Sequence, residues 1–105
     1  MSTYQIVWTD FALNELRKIH AYISEKAKSN VPADNVIGRI FDKVDTLEHS
    51  PEAFQEELFL KENGIDARYL VMGRYKVIYR IKETTVYITD VFNCFRHPSK
   101  MEKVR

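Results

Sequence analysis

Basic side chains gather in the last third of this chain, and their types suit the recognition of phosphate or carboxylate. Lys61, Arg68, Arg74 and Arg80 recur at short intervals and are followed by Arg96, His97 and Lys100. A guanidinium grips an anion through paired, coplanar N–H donors. An imidazole, with an unperturbed pKa of about 6.5, exchanges a proton near neutrality. If the fold brings Arg68 and Arg96 together, they form a phosphate cradle with His97 beside it as acid or base, and the order of the strands decides this. Tyr69, Tyr75, Phe92 and Phe95 are interleaved with the cations. They suit either stacking on bases or packing at alternate strand positions in a core.

Other chemistries find less support. His20, His49 and His97 lie far apart in sequence and form no ligand pair. No zinc spacing, phosphate-binding glycine loop or serine elbow occurs, so no metal and no cofactor is expected. His20 falls beside a helical apolar stripe, and His49 near a helix C-terminus, where an imidazole complements free carbonyls. Cys94 is the one cysteine, which excludes an internal disulfide framework, and its default role is buried packing.

The 105 residues suit a single domain, 1–105. Hydrophobic residues make up 45% of the chain, enough for one core without staples. The overall charge of +1 conceals an asymmetry: residues 1–60 carry a net −4 and residues 61–105 a net +5. That split points the C-terminal half toward an anionic partner. No apolar run approaches the roughly 20 residues of a membrane span, and the N-terminus lacks a secretory leader's design. A cytoplasmic protein without membrane contact is expected.

The elements that must position the cations follow from hydrophobic period. Tyr4, Ile6 and Trp8 alternate with Gln5, Val7 and Thr9 as in a strand. Thr9 or Asp10 then caps a helix over 10–27, whose stripe is Leu13, Leu16, Ile19, Ile23 and Ala27. Pro32 suits the first turn of a second helix over 32–49, ended by Ser50-Pro51. The short connection makes an antiparallel helical hairpin. Beyond it the period becomes two. A short strand is expected over 58–61, then a turn at Asn63-Gly64, then strands over 67–72, 75–82 and 85–93. Gly73-Arg74 and Glu83-Thr84 are tight enough for consecutive hairpins. The fold class is α+β, with an N-terminal strand, a helical hairpin and an antiparallel β-meander. Leu16, Ile19, Ile23, Ile37, Ile40, Phe41, Val44, Val77, Tyr79 and Ile88 are the expected core.

The segments RYLVMGRYKVIYRI (68–81) and VYITDVFNCFRHPSKM (86–101) resemble the RelE/ParE toxin superfamily. So do the first helix, in the spacing of Leu13, Leu16, Ile19, Tyr22 and Ile23, and the run LEHSP (47–51). The resemblance covers nearly the whole chain. It implies the toxin of a type II toxin–antitoxin pair, growth-inhibiting and neutralised by a cognate antitoxin that wraps around it. RelE-like members cleave mRNA on the ribosome without a metal, whereas ParE-like members act on DNA gyrase. On the RelE-like reading Arg68 and Arg96 match phosphate-binding arginines, Lys61 matches a basic residue on the preceding strand, and His97 stands in as the proton-transfer group. The tail departs from that pattern, with Pro98-Ser99-Lys100-Met101 where RelE-like enzymes carry a catalytic Tyr or His. The hairpin sequence is also more ParE-like, so a gyrase-directed toxin is expected. A ribosome-dependent RNase, or an inactive relative acting as a binding module, is the alternative. Lys61, Arg68, Arg74, Arg80, Arg96 and Lys100 are then the residues expected to meet an antitoxin or a nucleic acid.

Overall fold

The computed structural model describes residues 3–95, apart from the side chains of Leu58 and Phe59. Strand β1 (Gln5–Trp8) leads into helix α1 (Asp10–Ala27). Thr9 caps that helix: its hydroxyl oxygen accepts from Ala12 N at 3.2 Å and donates to Ile88 O at 2.9 Å, tying the helix start to the sheet. Lys28 closes α1 in the left-handed region, φ 54°, with its N–H on Ser24 O. Helix α2 (Val31–Asp45) carries proline in its first turn and runs on into a 3-10 turn, Thr46–Glu48, so the α-helix is shorter than its apolar stripe suggested. His20 bridges the hairpin, with Nε2 2.8 Å from Asp34 Oδ1.

After a second 3-10 turn, Pro51–Ala53, come β2 (Gln55–Glu56), α3 (Leu58–Glu62), β3 (Arg68–Met72), β4 (Tyr75–Lys82) and β5 (Thr85–Asn93). The strand expected over 58–61 is therefore the helix α3, and the extended residues lie just before it. Five residues are too few to distinguish the two periods. Met72 and Tyr75 pair across a two-residue turn in which Gly73 takes φ 63°. Positive φ at the first central position is what a tight hairpin of this twist requires. The β3–β4–β5 meander is antiparallel, as its turns dictated. β1 joins the far side of β5 in parallel, giving the order β1-β5-β4-β3-β2.

The helical hairpin packs on one face of this sheet. Ala12, Leu16, Ile40, Val44 and Leu47 meet Leu70, Val77, Tyr79, Val86, Ile88 and Val91, and all are buried. Burying each of the larger ones stabilises the fold by roughly 1.5–3 kcal/mol. Ile88 and Val91 share this face although three positions apart, because a bulge between Ile78 and Tyr79 leaves Thr89 without a partner row. Ile19, Ile23 and Ile37 pack at the margin of the core. Phe41, expected inside, is 36% exposed and lies against Trp8 with ring centroids 4.9 Å apart.

A second, smaller core covers part of the opposite face. Leu60 from α3 packs on Ala67, Ile78 and Phe92. Beneath it Lys76 Nζ contacts Glu57 Oε2 at 2.5 Å and sits 4.1 Å from the Tyr69 ring centroid. Lys76 and Glu57 are 4% and 5% exposed.

Candidate functional site at the connected end of the helical hairpin

Among the described residues, the fold sets Lys61, Arg68, Arg74 and Arg80 apart from one another. Arg68 opens β3 and stands in register with Tyr79, which pairs with Ile88. Its Nη1 donates to Phe54 O at 2.7 Å and to Glu52 O at 3.3 Å. Tyr79 reaches the same segment, its hydroxyl donating to Pro51 O at 2.5 Å. Burial pushes that phenol well above its ordinary range, and the nearby Arg68 charge opposes the shift only in part. Arg68 and Tyr79 together clamp the 51–54 turn to the sheet.

Strand β5 ends at Asn93, five positions beyond Ile88, or roughly 16 Å along the strand. The register thus sets Arg68 at the other end of the sheet from the last residues of β5. Arg96, His97 and Lys100 lie outside the described residues. Lys61 is on α3, exposed, and paired with Glu56 at 2.8 Å. The pair's hydrogen bond and charge lower the Glu56 carboxyl and raise the Lys61 ammonium from their usual values. Arg80 projects from the face of β4 opposite the hairpin, its Nε donating to Asp66 O at 3.3 Å. Cys94 packs beside the second core, where burial raises its thiol pKa. Among the described residues no three His, Cys, Asp or Glu come together to hold a metal, and no helix is long and apolar enough to cross a membrane.

Among the described cations, the fold sets Arg74 beside exposed rings and a second cation. The β3–β4 turn carries it to the connected end of the hairpin. There a groove of about 440 Å³ is lined by Tyr22, Ile23, Lys26 and Ala27 of α1, Val36 of α2, and Arg74, Tyr75 and Asn93 of the sheet. A smaller one of about 220 Å³ continues it past Val36, Arg39, Met72 and Gly73. The Arg74 guanidinium lies 5.4 Å from the Phe95 ring centroid, and Lys26 Nζ lies 5.6 Å from that of Tyr22. Phe95 is 74% exposed and Tyr22 37%. Cations laid over exposed rings combine charge with a large, stiff apolar area. Such a surface suits a protein segment carrying acidic and apolar side chains.

Sequence reading missed Tyr22, Lys26 and Arg39 because the N-terminal half is acidic overall. The available signal was local: Tyr22 and Lys26 stand four apart on α1, just off its apolar stripe, so ring and cation share one helix face.

Residues 6–94 match the family described as the ParE toxin of the type II toxin–antitoxin system parDE. The chain belongs to the ParE toxin family. In fold it resembles a chain of the chromosomal ParDE toxin–antitoxin system from P. aeruginosa, with a TM-score of 0.70 and 15% identity, covering 87% of this chain and 96% of that one. No curated protein matches it in sequence. As a ParE toxin it is the toxin component of a type II pair, with an antitoxin as its partner. The Arg74 groove lies within the matched span.

Proposed function

We propose that this ParE toxin arrests growth by binding DNA gyrase rather than by cleaving mRNA, and that its antitoxin is held at the Arg74 groove. The ParE match across residues 6–94 carries the reading. The separation of Lys61, Arg68 and Arg80 supports it. An mRNA-cleaving site needs a base, an acid and phosphate donors converging within hydrogen-bond reach. Here Arg68 spends Nη1 on backbone carbonyls, Lys61 pairs with Glu56, and Arg80 is on the other face of the sheet.

The groove is cationic and aromatic, so an antitoxin segment with acidic and apolar residues fits it. Complementary charge speeds such association, and salt weakens the effect. Both partners act in the cytoplasm on this reading. Controlled expression in bacteria tests it, with and without the product of the neighbouring gene. Growth should stop with gyrase-dependent DNA breaks, and co-expression of the neighbouring product should restore it. Arrest accompanied by cleaved mRNA and intact DNA would overturn the gyrase reading. A neighbouring product that neither binds nor rescues would overturn the antitoxin reading.

A further inference from the structure

The sheet face opposite the hairpin is only half covered. Along β4 the outward row reads Lys76, Ile78, Arg80, Lys82. Lys76 is sealed beneath α3 and neutralised by Glu57, and Ile78 belongs to the small second core. Past them the cover ends, and Arg80 and Lys82 are exposed. They border a groove of about 470 Å³ that also takes in Tyr87, Thr89 and Thr9. The volume lies within the range of small-ligand sites.

The register explains how these groups come together. Arg80 stands directly opposite Tyr87 on β5, and Tyr87 opposite Val7 on β1, so the half-buried ring lies on the same face as the guanidinium. Arg80 and Lys82 are two residues apart on one strand, hence roughly 6.6 Å apart along it and on one face. The donation from Arg80 Nε to the Asp66 carbonyl fixes the orientation of the guanidinium fork. The bulge sets Thr89 at the groove wall, its hydroxyl donating to Ile78 O at 3.3 Å. The nearest acidic side chains by sequence are Glu83 beside Lys82, Asp10 beside Thr9, and Asp90 beside Thr89, the last buried in register with Ile78 on the same sheet face.

We infer that this groove binds single-stranded nucleic acid, with the phosphates on Arg80 and Lys82 and a base stacked on Tyr87. A backbone-tracking pair of cations beside an aromatic platform is the combination that holds single strands without regard to sequence. The Arg74 groove offers Ile23, Ala27 and Val36 to a peptide's apolar side chains, whereas Ile81 is the one aliphatic residue among those lining this groove, which favours a nucleotide over an acidic and apolar peptide. The assignment does not depend on the identity of the toxin's target.

The test is fluorescence anisotropy of the full-length protein with a fluorescein-labelled oligodeoxythymidylate of about 12 nucleotides, within the usual site sizes. Binding should be measurable at low salt and weaken as salt rises. Arg80→Gln/Lys82→Gln should weaken it and flatten the log–log salt dependence by about 1.4, at 0.7 per phosphate contact. Tyr87→Phe should bind like wild type, and Tyr87→Leu roughly 5- to 150-fold more weakly. Should Tyr87→Leu fail to fold by circular dichroism, the Arg80/Lys82 variant decides alone. The charge-matched Arg17→Gln/Lys43→Gln should bind like wild type. No binding by wild type, equal loss in the charge-matched control, or an unchanged salt slope in Arg80→Gln/Lys82→Gln would overturn the inference. So would unlabelled polyglutamate competing as well as the unlabelled oligonucleotide, since that marks a site for acidic peptide.

Discussion

Glu57→Gln is expected to be among the most damaging conservative changes in this protein. Glu57 and Lys76 are 5% and 4% exposed, and their charged atoms lie 2.5 Å apart. Glutamine keeps the shape and an acceptor oxygen but removes the charge, leaving a buried ammonium whose remaining electrostatic support includes the Tyr69 ring at 4.1 Å. A desolvated cation–π contact supplies about 2 kcal/mol. Breaking one side of a buried pair typically costs about 3–5 kcal/mol, against a total stability of roughly 5–15 kcal/mol for a domain. Glu57→Gln should therefore lose about 3 kcal/mol or more in urea unfolding followed by far-ultraviolet circular dichroism. Replacing both partners, as Glu57→Leu/Lys76→Met, should recover most of that loss, because no uncompensated charge is then buried. Hydrogen exchange should show the amides of α3 and the 63–66 turn losing protection first in Glu57→Gln, since Glu57 N–H also bonds Ala67 O at 2.8 Å. A loss under about 1 kcal/mol, or a double variant as unstable as the single one, would refute the argument that this pair is desolvated and holds α3 to the sheet.

Three further outcomes are expected. Burial holds the Tyr79 phenol well above its ordinary pKa, so the folded state keeps a proton that the unfolded chain releases above pH 10 or so. Stability should be complete below that pH and fall by up to about 1.4 kcal/mol per pH unit above it. Tyr79→Phe, best made in a Cys94→Ala background because that thiol is also raised, should flatten this slope while costing about 1 kcal/mol at neutral pH. Lys28→Gly should raise the melting temperature, and so should Glu83→Gly. Both residues sit in the left-handed region, at φ 54° and 56°, where glycine relieves a cost on the order of 1 kcal/mol. Arg74→Glu should weaken antitoxin binding on the order of tenfold or more in calorimetry, because acidic side chains would then face a like charge.

Much of the fold was legible because its period changes cleanly. The helical stripes ending near His49 and the alternation after Ala67 fix the α+β order, and Gly73-Arg74 and Glu83-Thr84 mark the two tight turns. Two features resisted reading for a shared reason: they depend on partners remote in sequence. The parallel seat of β1 beside β5 requires knowing which sheet edge remains after the meander forms. The second core requires α3 to fold back over Lys76, and a lysine at an alternating strand position reads as solvent-facing until Glu57 is found above it. The candidate site was legible in part. Arg74 stood out by its turn position, whereas the strand order that decides where Arg68 sits relative to the end of β5 could not be read from sequence, and Arg96 and His97 lie outside the described residues. Tyr22 and Lys26 were hidden by an acidic half whose net charge says nothing about one helix face.

The most direct test of the gyrase reading uses purified components: DNA gyrase with plasmid, and ribosomes translating an mRNA, each given the full-length toxin with and without its antitoxin. Double-strand plasmid cleavage is expected that requires gyrase and disappears when the antitoxin is added first, with the mRNA left intact. Cleavage of the translated mRNA with gyrase and plasmid unaffected would contradict the gyrase reading.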